Sequence, residues 1–283
     1  MNTPPLITTI AAMQNQADTW RRQGLRVGLV PTMGYLHDGH LSLVTRCVTQ
    51  ADRTVVSIFV NPLQFGPAED YAVYPRDLER DLGLLAPHGV AAVFHPTPEE
   101  FYPQDFCTTV EVSGLTDGLC GAFRPGHFRG VTTVVTKLFT AVIPHLAVFG
   151  QKDYQQCAVI RRMTRDLNLG VTIDVAPTVR EADGLAMSSR NVFLTEEERQ
   201  RAPAIYRALR QAEQAFLSGT REVAAVLERL KARLRTEVTE RIDYVEGVDP
   251  DSLRPVEVYA GRLVLAVAVR MSKARLIDNL VLR

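Results

Sequence analysis

The chain has no charge of either sign to spare: 32 Lys and Arg balance 32 Asp and Glu across 283 residues. Nucleic-acid and anionic-membrane partners are held chiefly by clustered Lys and Arg, so neither is expected here. The four cysteines (Cys47, Cys107, Cys120 and Cys157) show no C-x-x-C spacing. They read as reduced thiols of a cytoplasmic protein rather than a disulfide framework or zinc site. No apolar run approaches the ~20 residues of a membrane-spanning helix. The N-terminus lacks the basic start and apolar stretch of a secretion signal. Several catalytic signatures are also missing: no G-x-x-x-x-G-K-[ST] phosphate loop, no H-E-x-x-H zinc pair and no G-x-S-x-G nucleophile elbow. A length of 283 residues suffices for a packed core and gives a soft expectation of two domains.

What is present is an alternation. The runs at 26–33, 54–61, 90–96, 145–150 and 171–177 are rich in β-branched and aromatic residues, and several end at Pro or Gly, as buried strands do. Helical patterns at 39–51, 76–85, 131–142 and 153–167 lie between them. This order predicts an α/β fold: a Rossmann-like parallel sheet covered by helices on both faces and joined by right-handed crossovers. Ligands in such folds bind at the carboxyl ends of the strands. Past residue 177 the texture changes. A capping-box pattern at Thr195 opens a helix over 195–218, and a second helix follows over 221–240. The runs IDYVEGV, VEVY, GRLVLAVAV and ARLIDNLVL then suggest a small antiparallel sheet. Two domains are expected, 1–177 and a smaller α+β domain over 178–283. Residues 101–129 fit no element, and loops that long are uncommon unless functional.

Five segments carry polar residues where chemistry is expected. In PTMGYLHDGH, His37 and His40 sit three apart at a predicted helix start, where backbone N–H groups favour phosphate. Gly34 and Gly39 would allow close backbone approach. A lone H-x-x-H, however, more often marks a turn with two surface histidines. In FVNPLQF, Asn61 and Gln64 leave the end of a strand as neutral hydrogen-bonding amides, although Asn-Pro turn chemistry explains Asn61 as well. Asp77 and Asp81 read as a solvated helix face rather than a Mg²⁺ site. In RPGHFRG, Arg124, His127 and Arg129 could attract an anion or simply complete a loop. In FGQKDYQQ, Lys152 could neutralise a phosphate, and Asp153 could orient a ligand or cap the next helix. Finally Ser188, Ser189 and Arg190 place two hydroxyls beside a guanidinium, either a phosphate clasp or a polar linker.

Taken together, PTMGYLHDGH, FVNPLQF, RPGHFRGV, FGQKDYQQ and DGLAMSSRN, in that order, resemble the pantoate–β-alanine ligase family from near the first residue to the last. The histidine and Ser-Ser-Arg elements also resemble the wider nucleotidyltransferase superfamily. The resemblance implies an ATP-dependent ligase that joins (R)-pantoate to β-alanine with Mg²⁺, through a pantoyl adenylate, releasing AMP and pyrophosphate. It implies ATP contacts from Met33, Gly34, Tyr35, Leu36, His37, Asp38, Gly39 and His40. Further ATP contacts would come from Gly150, Gln151, Lys152, Asp153, Val179, Met187, Ser188, Ser189 and Arg190. His40 would be the proton donor, with His37, Lys152, Ser188, Ser189 and Arg190 assisting at the phosphates. Gln64 would hold pantoate and β-alanine, Gln156 pantoate, and Asn61 would be a pantoate neighbour; no metal-holding residue is implied. A homodimer is implied, and because the intermediate is labile in water the Met187–Arg190 loop and the second domain are expected to shut over the site. Alternatives are another adenylyltransferase of the superfamily or a non-catalytic nucleotide-binding module. The chain departs from the family pattern twice: Gln151 stands where glutamate is usual, and Cys120 replaces a glutamate before Gly121.

Overall fold

The computed structural model describes residues 3–67 and 69–283. Met1, Asn2 and Ala68, the last inside the segment that follows Asn61, lie outside the described residues. The first elements are β1 (Leu6–Ile7), α1 (Ile10–Arg22), β2 (Val27–Thr32), α2 (Asp38–Val48), β3 (Arg53–Ile58), α3 (Leu78–Leu85) and β4 (Ala92–Phe94). They are followed by α4 (Pro98–Phe101), α5 (Cys120–Phe123), α6 (His127–Val142), β5 (Leu146–Gly150), α7 (Tyr154–Asp166) and β6 (Thr172–Ala176). Then come α8 (Glu196–Arg201), α9 (Ala204–Leu217), α10 (Val223–Glu237), β7 (Ile242–Val248), β8 (Leu263–Arg270) and β9 (Arg275–Leu282).

The chain divides into two compact units. One comprises Met1–Val112, Arg124–Gln151 and Gln156–Pro177; the other comprises Ser113–Phe123, Lys152–Gln155 and Thr178–Arg283. A single cut after residue 177 therefore misses two short excursions, at 113–123 and 152–155.

The first unit is built on a wholly parallel sheet in the order β1-β4-β3-β2-β5-β6. Strands β2, β3 and β5 are buried almost throughout, which is why they read as continuous apolar runs rather than alternating ones. Edge strand β6 is only partly buried. Strands β2, β3 and β4 proceed to one side, and β5 and β6 are added on the other, so the direction of winding reverses between β2 and β5. Those two strands pair only at Gly28 with Leu146 and Leu29 with Ala147. Pro31, which has no N–H to donate, thus lies beyond the last β5 pairing and faces Ser57 of β3 instead. The strands splay where a doubly wound sheet opens its ligand crevice. Gly28 lets α2 pack closely on β2, since a Cβ there would meet Cys47 Sγ at 2.4 Å. Strand β1 and helix α1, not anticipated from the sequence, complete the edge; α1 buries Met13, Ala17 and Trp20 on one face.

The second unit folds α9 and α10 with the antiparallel sheet β7-β8-β9 around an apolar core of its own, with Leu209, Leu234 and Leu263 fully buried. Two expectations are corrected. The helix predicted over 195–218 is broken into α8 and α9 by Pro203, which cannot supply an interior N–H. VEVY is not a strand: within it Val258 makes an isolated bridge with Glu222, and Pro255 just before it makes another with Val248.

Candidate active site

In the first unit the carboxyl end of β2 runs directly into the histidine segment. Gly34 (φ +82°) and Tyr35 (φ +50°) both adopt left-handed backbone conformations. That turn is held by Asp81. One carboxylate oxygen accepts from Tyr35 N–H and the other from Leu36 N–H, each at 2.7 Å. The side chain is 1% exposed. Burial pushes the Asp81 carboxyl up, against the pull of the two amides and of Arg80. Arg80 lies 3.4 Å from the carboxylate and 4.9 Å over the Tyr35 ring. The solvated face expected for Asp77 and Asp81 therefore holds for Asp77, which is exposed, and is wrong for Asp81. Asp77 caps α3 by accepting from Arg80 N–H at 3.1 Å, and Asp81 is a buried brace. Nothing in local spacing could reveal that, because its partners lie 45 residues away.

His37 is the N-cap of α2. Its Nδ1 accepts from Gly39 N–H at 3.1 Å, and His40 Nδ1 accepts from His37 N–H at 3.4 Å. The pair forms a reciprocal capping box in imidazoles, with ring centroids 4.0 Å apart. A ring nitrogen that accepts from backbone N–H has no proton, so each neutral ring carries its proton on Nε2. The structure thus brings together two Nε2–H donors at the N-terminus of an eleven-residue helix, where the backbone already favours anions.

Asn61 and Gln64 leave β3 in a 3-10 turn, Pro62–Gln64. Asn61 is 1% exposed. Its Oδ1 accepts from Leu63 N–H at 3.3 Å, and its Nδ2 donates to Gly130 O at 3.1 Å and to Gln64 Oε1 at 3.1 Å. Gln64 Nε2 faces Met33 Sδ at 3.0 Å. The Gln64 carbonyl accepts from His127 Nδ1 at 2.8 Å and Arg124 Nη2 at 3.3 Å, and Arg124 is itself paired with Glu69. Arg124 and His127 therefore belong to a brace beneath Gln64. Gly130 permits it, because a Cβ there would lie 2.2 Å from Leu63 O. At the other side of the crevice β5 ends at Gly150, Gln151 opens the 3-10 turn that follows, and Gln156 is half-buried on α7.

In the second unit Lys152 and Asp153 occupy a 3-10 turn, and Asn279 Nδ2 donates to Lys152 O at 2.9 Å. The segment carrying Val179 and Met187 folds back on itself, with Met187 N–H donating to Val179 O at 3.0 Å. Ser188 caps the turn Ser189–Phe193 by accepting from Arg190 N–H at 3.3 Å. Arg180 grips Asp278 through two bonds of 2.6 and 2.9 Å and stacks 3.7 Å over Tyr206. Lys152, Ser188, Asn191, Tyr206 and Asp278 line one small void, so this structure brings Lys152 and Ser188 together. Gln155, unnoticed in the sequence, is 6% exposed. Its amide ties Cys120 N–H, Leu115 O and Gly118 O at 2.9 Å each. Cys120, the departure from the family's glutamate, lies with its sulfur 3.4 Å from Arg275 Nη1.

A parallel sheet whose strands part at its switch point, with a histidine-capped helix and paired amides at its carboxyl edge, defines a Rossmann-like α/β protein. The chain belongs to the pantoate–β-alanine ligase family, whose model matches residues 5–281. It is 56% identical over 277 residues to a pantothenate synthetase of Moorella thermoacetica, covering 98% of both chains. It is 55% identical to one of Thermotoga neapolitana, covering 98% of this chain and 99% of that one. The crystal structure of pantothenate synthetase from Thermus thermophilus superposes with a TM-score of 0.91 at 49% identity, covering 98% of each. Pantoate-beta-alanine ligase from Francisella tularensis, crystallised with beta-gamma ATP and beta-alanine, gives 0.80 at 32% identity, covering 98% and 97%.

Proposed function

We propose that this chain condenses (R)-pantoate with β-alanine to give pantothenate, driven by cleavage of ATP to AMP and pyrophosphate. A pantoate carboxylate oxygen attacks the α-phosphorus, and the bond to the departing pyrophosphate breaks. The β-alanine amine then attacks the acyl carbon of the pantoyl adenylate, expelling AMP. The observation that supports this best is the histidine capping box. It commits both Nδ1 atoms to the backbone and so puts each ring's proton on Nε2, the atom that can donate to phosphate oxygens as their charge grows. In this reading His40 is the proton donor, assisted by His37, and Lys152, Ser188, Ser189 and Arg190 stabilise the phosphates. The rest of Met33 to His40, with Gly150, Gln151, Asp153, Val179 and Met187, completes the ATP contacts. Gln64 holds pantoate and β-alanine, and Gln156 and Asn61 support pantoate.

Magnesium enters as part of the ATP substrate. Mg²⁺ usually keeps several waters and takes phosphates plus one or two carboxylates, so it needs no resident cage. Among the described residues no cluster of three His, Cys, Asp or Glu forms one. The same reading takes the working form as a homodimer in the cytoplasm.

The test is product analysis with ATP, Mg²⁺, pantoate and β-alanine, each organic substrate being omitted in turn. Pantothenate and AMP in equal amounts, requiring both acids, are expected. An adenylyltransferase of another kind would leave the nucleotide on its product and release no AMP. In the same assay His40→Ala and Lys152→Ala should each lower kcat by on the order of 10²-fold, as expected for losing a preorganised donor. Near-normal turnover by either variant would remove that residue from the catalytic set.

A further inference from the structure

We infer that Tyr102 is a positioning residue that steadies Asn61, and through it the hydrogen-bonding polarity of Gln64, and so contributes to recognition of the hydroxy-acid substrate. The inference rests on Gln64 being a pantoate ligand, as proposed above.

Amide side chains are ambiguous until a neighbour fixes which end donates. Here two backbone groups do so. Gly130 O can only accept, so Asn61 must aim Nδ2 at it; Leu63 N–H can only donate, so Asn61 must aim Oδ1 there. The second Nδ2 hydrogen then goes to Gln64 Oε1, which consumes the acceptor end of Gln64. What Gln64 presents beside Met33 is its NH₂ group, a pure donor suited to a carboxylate or hydroxyl oxygen. The thioether is a weak acceptor that a substrate oxygen can replace.

Tyr102 closes this chain from behind. Its hydroxyl donates to Asn61 Oδ1 at 2.8 Å. Burial pushes its phenol well above the ordinary range, so it remains a donor at neutral pH. The ring is held edge-on against Phe101 and Phe106, with centroids 5.8 and 5.0 Å away, and the Lys137 ammonium lies 5.8 Å from its centroid. The tyrosine comes from the segment that fitted no element in the sequence, just after α4. Its backbone N–H is tied to Pro98 O at 2.7 Å, so the hydroxyl is delivered by a fixed turn. Without it, Asn61 Oδ1 keeps one long bond, from Leu63 N–H, and the amide that polarises Gln64 is held less firmly.

Tyr102→Phe removes one oxygen and keeps the ring. Titrating pantoate into each protein with a non-hydrolysable ATP analogue present should show a roughly tenfold weaker Kd for Tyr102→Phe than for the parent. The Kd of the ATP analogue itself should be unchanged, which also shows that the variant is folded. In a Gln64→Ala background the added Tyr102→Phe change should have no further effect on pantoate, because Asn61, buried and bonded to Gln64, supports pantoate through Gln64. An additional tenfold loss in that background would overturn the inference, since the tyrosine would then act elsewhere. Equal pantoate affinity of Tyr102→Phe and parent, with Gln64→Ala weakened, would overturn this inference alone. Unchanged affinity in Gln64→Ala would overturn the assignment of Gln64 itself, and this inference with it.

Discussion

At the scale of single residues, the site depends on buried groups that organise backbone. Asp81 illustrates why local pattern could not identify them. Four residues after Asp77 in an acidic stretch, it looks like a surface residue, yet both of its oxygens are spent on amides of a left-handed turn in another segment. Asp81→Asn is nearly isosteric but turns one acceptor into a donor that faces a backbone N–H. Buried charge-assisted bonds of this kind are worth about 1.5–3 kcal/mol, so a loss of about 2 kcal/mol in urea unfolding is expected. KM for ATP should rise as well, because the turn leads directly into His37 and His40. Unchanged KM alongside lost stability would mean that the turn holds its shape without the carboxylate. The histidines themselves, Asn61, Gln64, Lys152 and the Ser-Ser-Arg run stood out in the string as candidates, all but the last because a polar residue just past a strand end is conspicuous, and the last because its polar groups are consecutive. Tyr102, Asp81 and Gln155 did not, since each works through partners far away in sequence.

At the scale of elements, the parallel strands were legible because burial on both faces leaves uninterrupted apolar runs, and their observed ends fall within a few residues of those predicted. Two-residue β1 carries too little pattern to be read. In the second unit, a hydrophobic run such as VEVY looks like a strand until neighbours decide whether it finds a full partner. The three-stranded sheet there is pinned by charge. Burial alone would raise the Asp243 carboxyl, but bonds from Arg270 Nε at 2.6 Å and Arg275 Nε at 2.7 Å outweigh it and hold its pKa below the ordinary range. Arg270 and Arg275 are cross-strand partners at the turn end of β8 and β9, so Asp243 on β7 ties all three strands. Its folded pKa is depressed, so its stabilisation is fully present above the unfolded value of about 4 and disappears as pH falls through the folded value. Asp243→Asn should cost about 3 kcal/mol at pH 7, the scale for breaking a largely buried pair. The gap between the two proteins, followed by denaturant unfolding at a series of pH values, should narrow steadily below about pH 4. A gap independent of pH would show that the amide's loss is steric rather than electrostatic. The sulfur of Cys120 lies against the same Arg275, so the site where the family pattern has a glutamate already abuts a guanidinium with a carboxylate partner.

At the scale of the whole molecule, sheet order and the division into units were only partly accessible from the string. Alternating strands and helices, with the right-handed crossover rule, restrict the topology but do not say on which side of β2 the fifth strand is added. Nor does composition disclose that residues 113–123 and 152–155 leave one unit to pack with the other. The cores respect the division: Leu185 to Leu282 supply one apolar cluster, and the two clusters around β2, β3 and β5 draw only on the first unit. Since burial of apolar surface drives cooperativity, and a chain with two cores need not unfold in one step, scanning calorimetry should resolve two transitions. Leu209 of α9 and Leu29 of β2 are both fully buried, and a Leu→Ala change at such a position costs about 2–5 kcal/mol. Leu209→Ala should lower the Tm of one transition by about 8 °C or more and leave the other in place, and Leu29→Ala should do the reverse. The two excursions give the experiment its force, because unfolding of the second unit must release 113–123 and 152–155 from their partners while the parallel sheet stands. If both variants moved a single shared transition, those short segments would be coupling the cores into one cooperative unit.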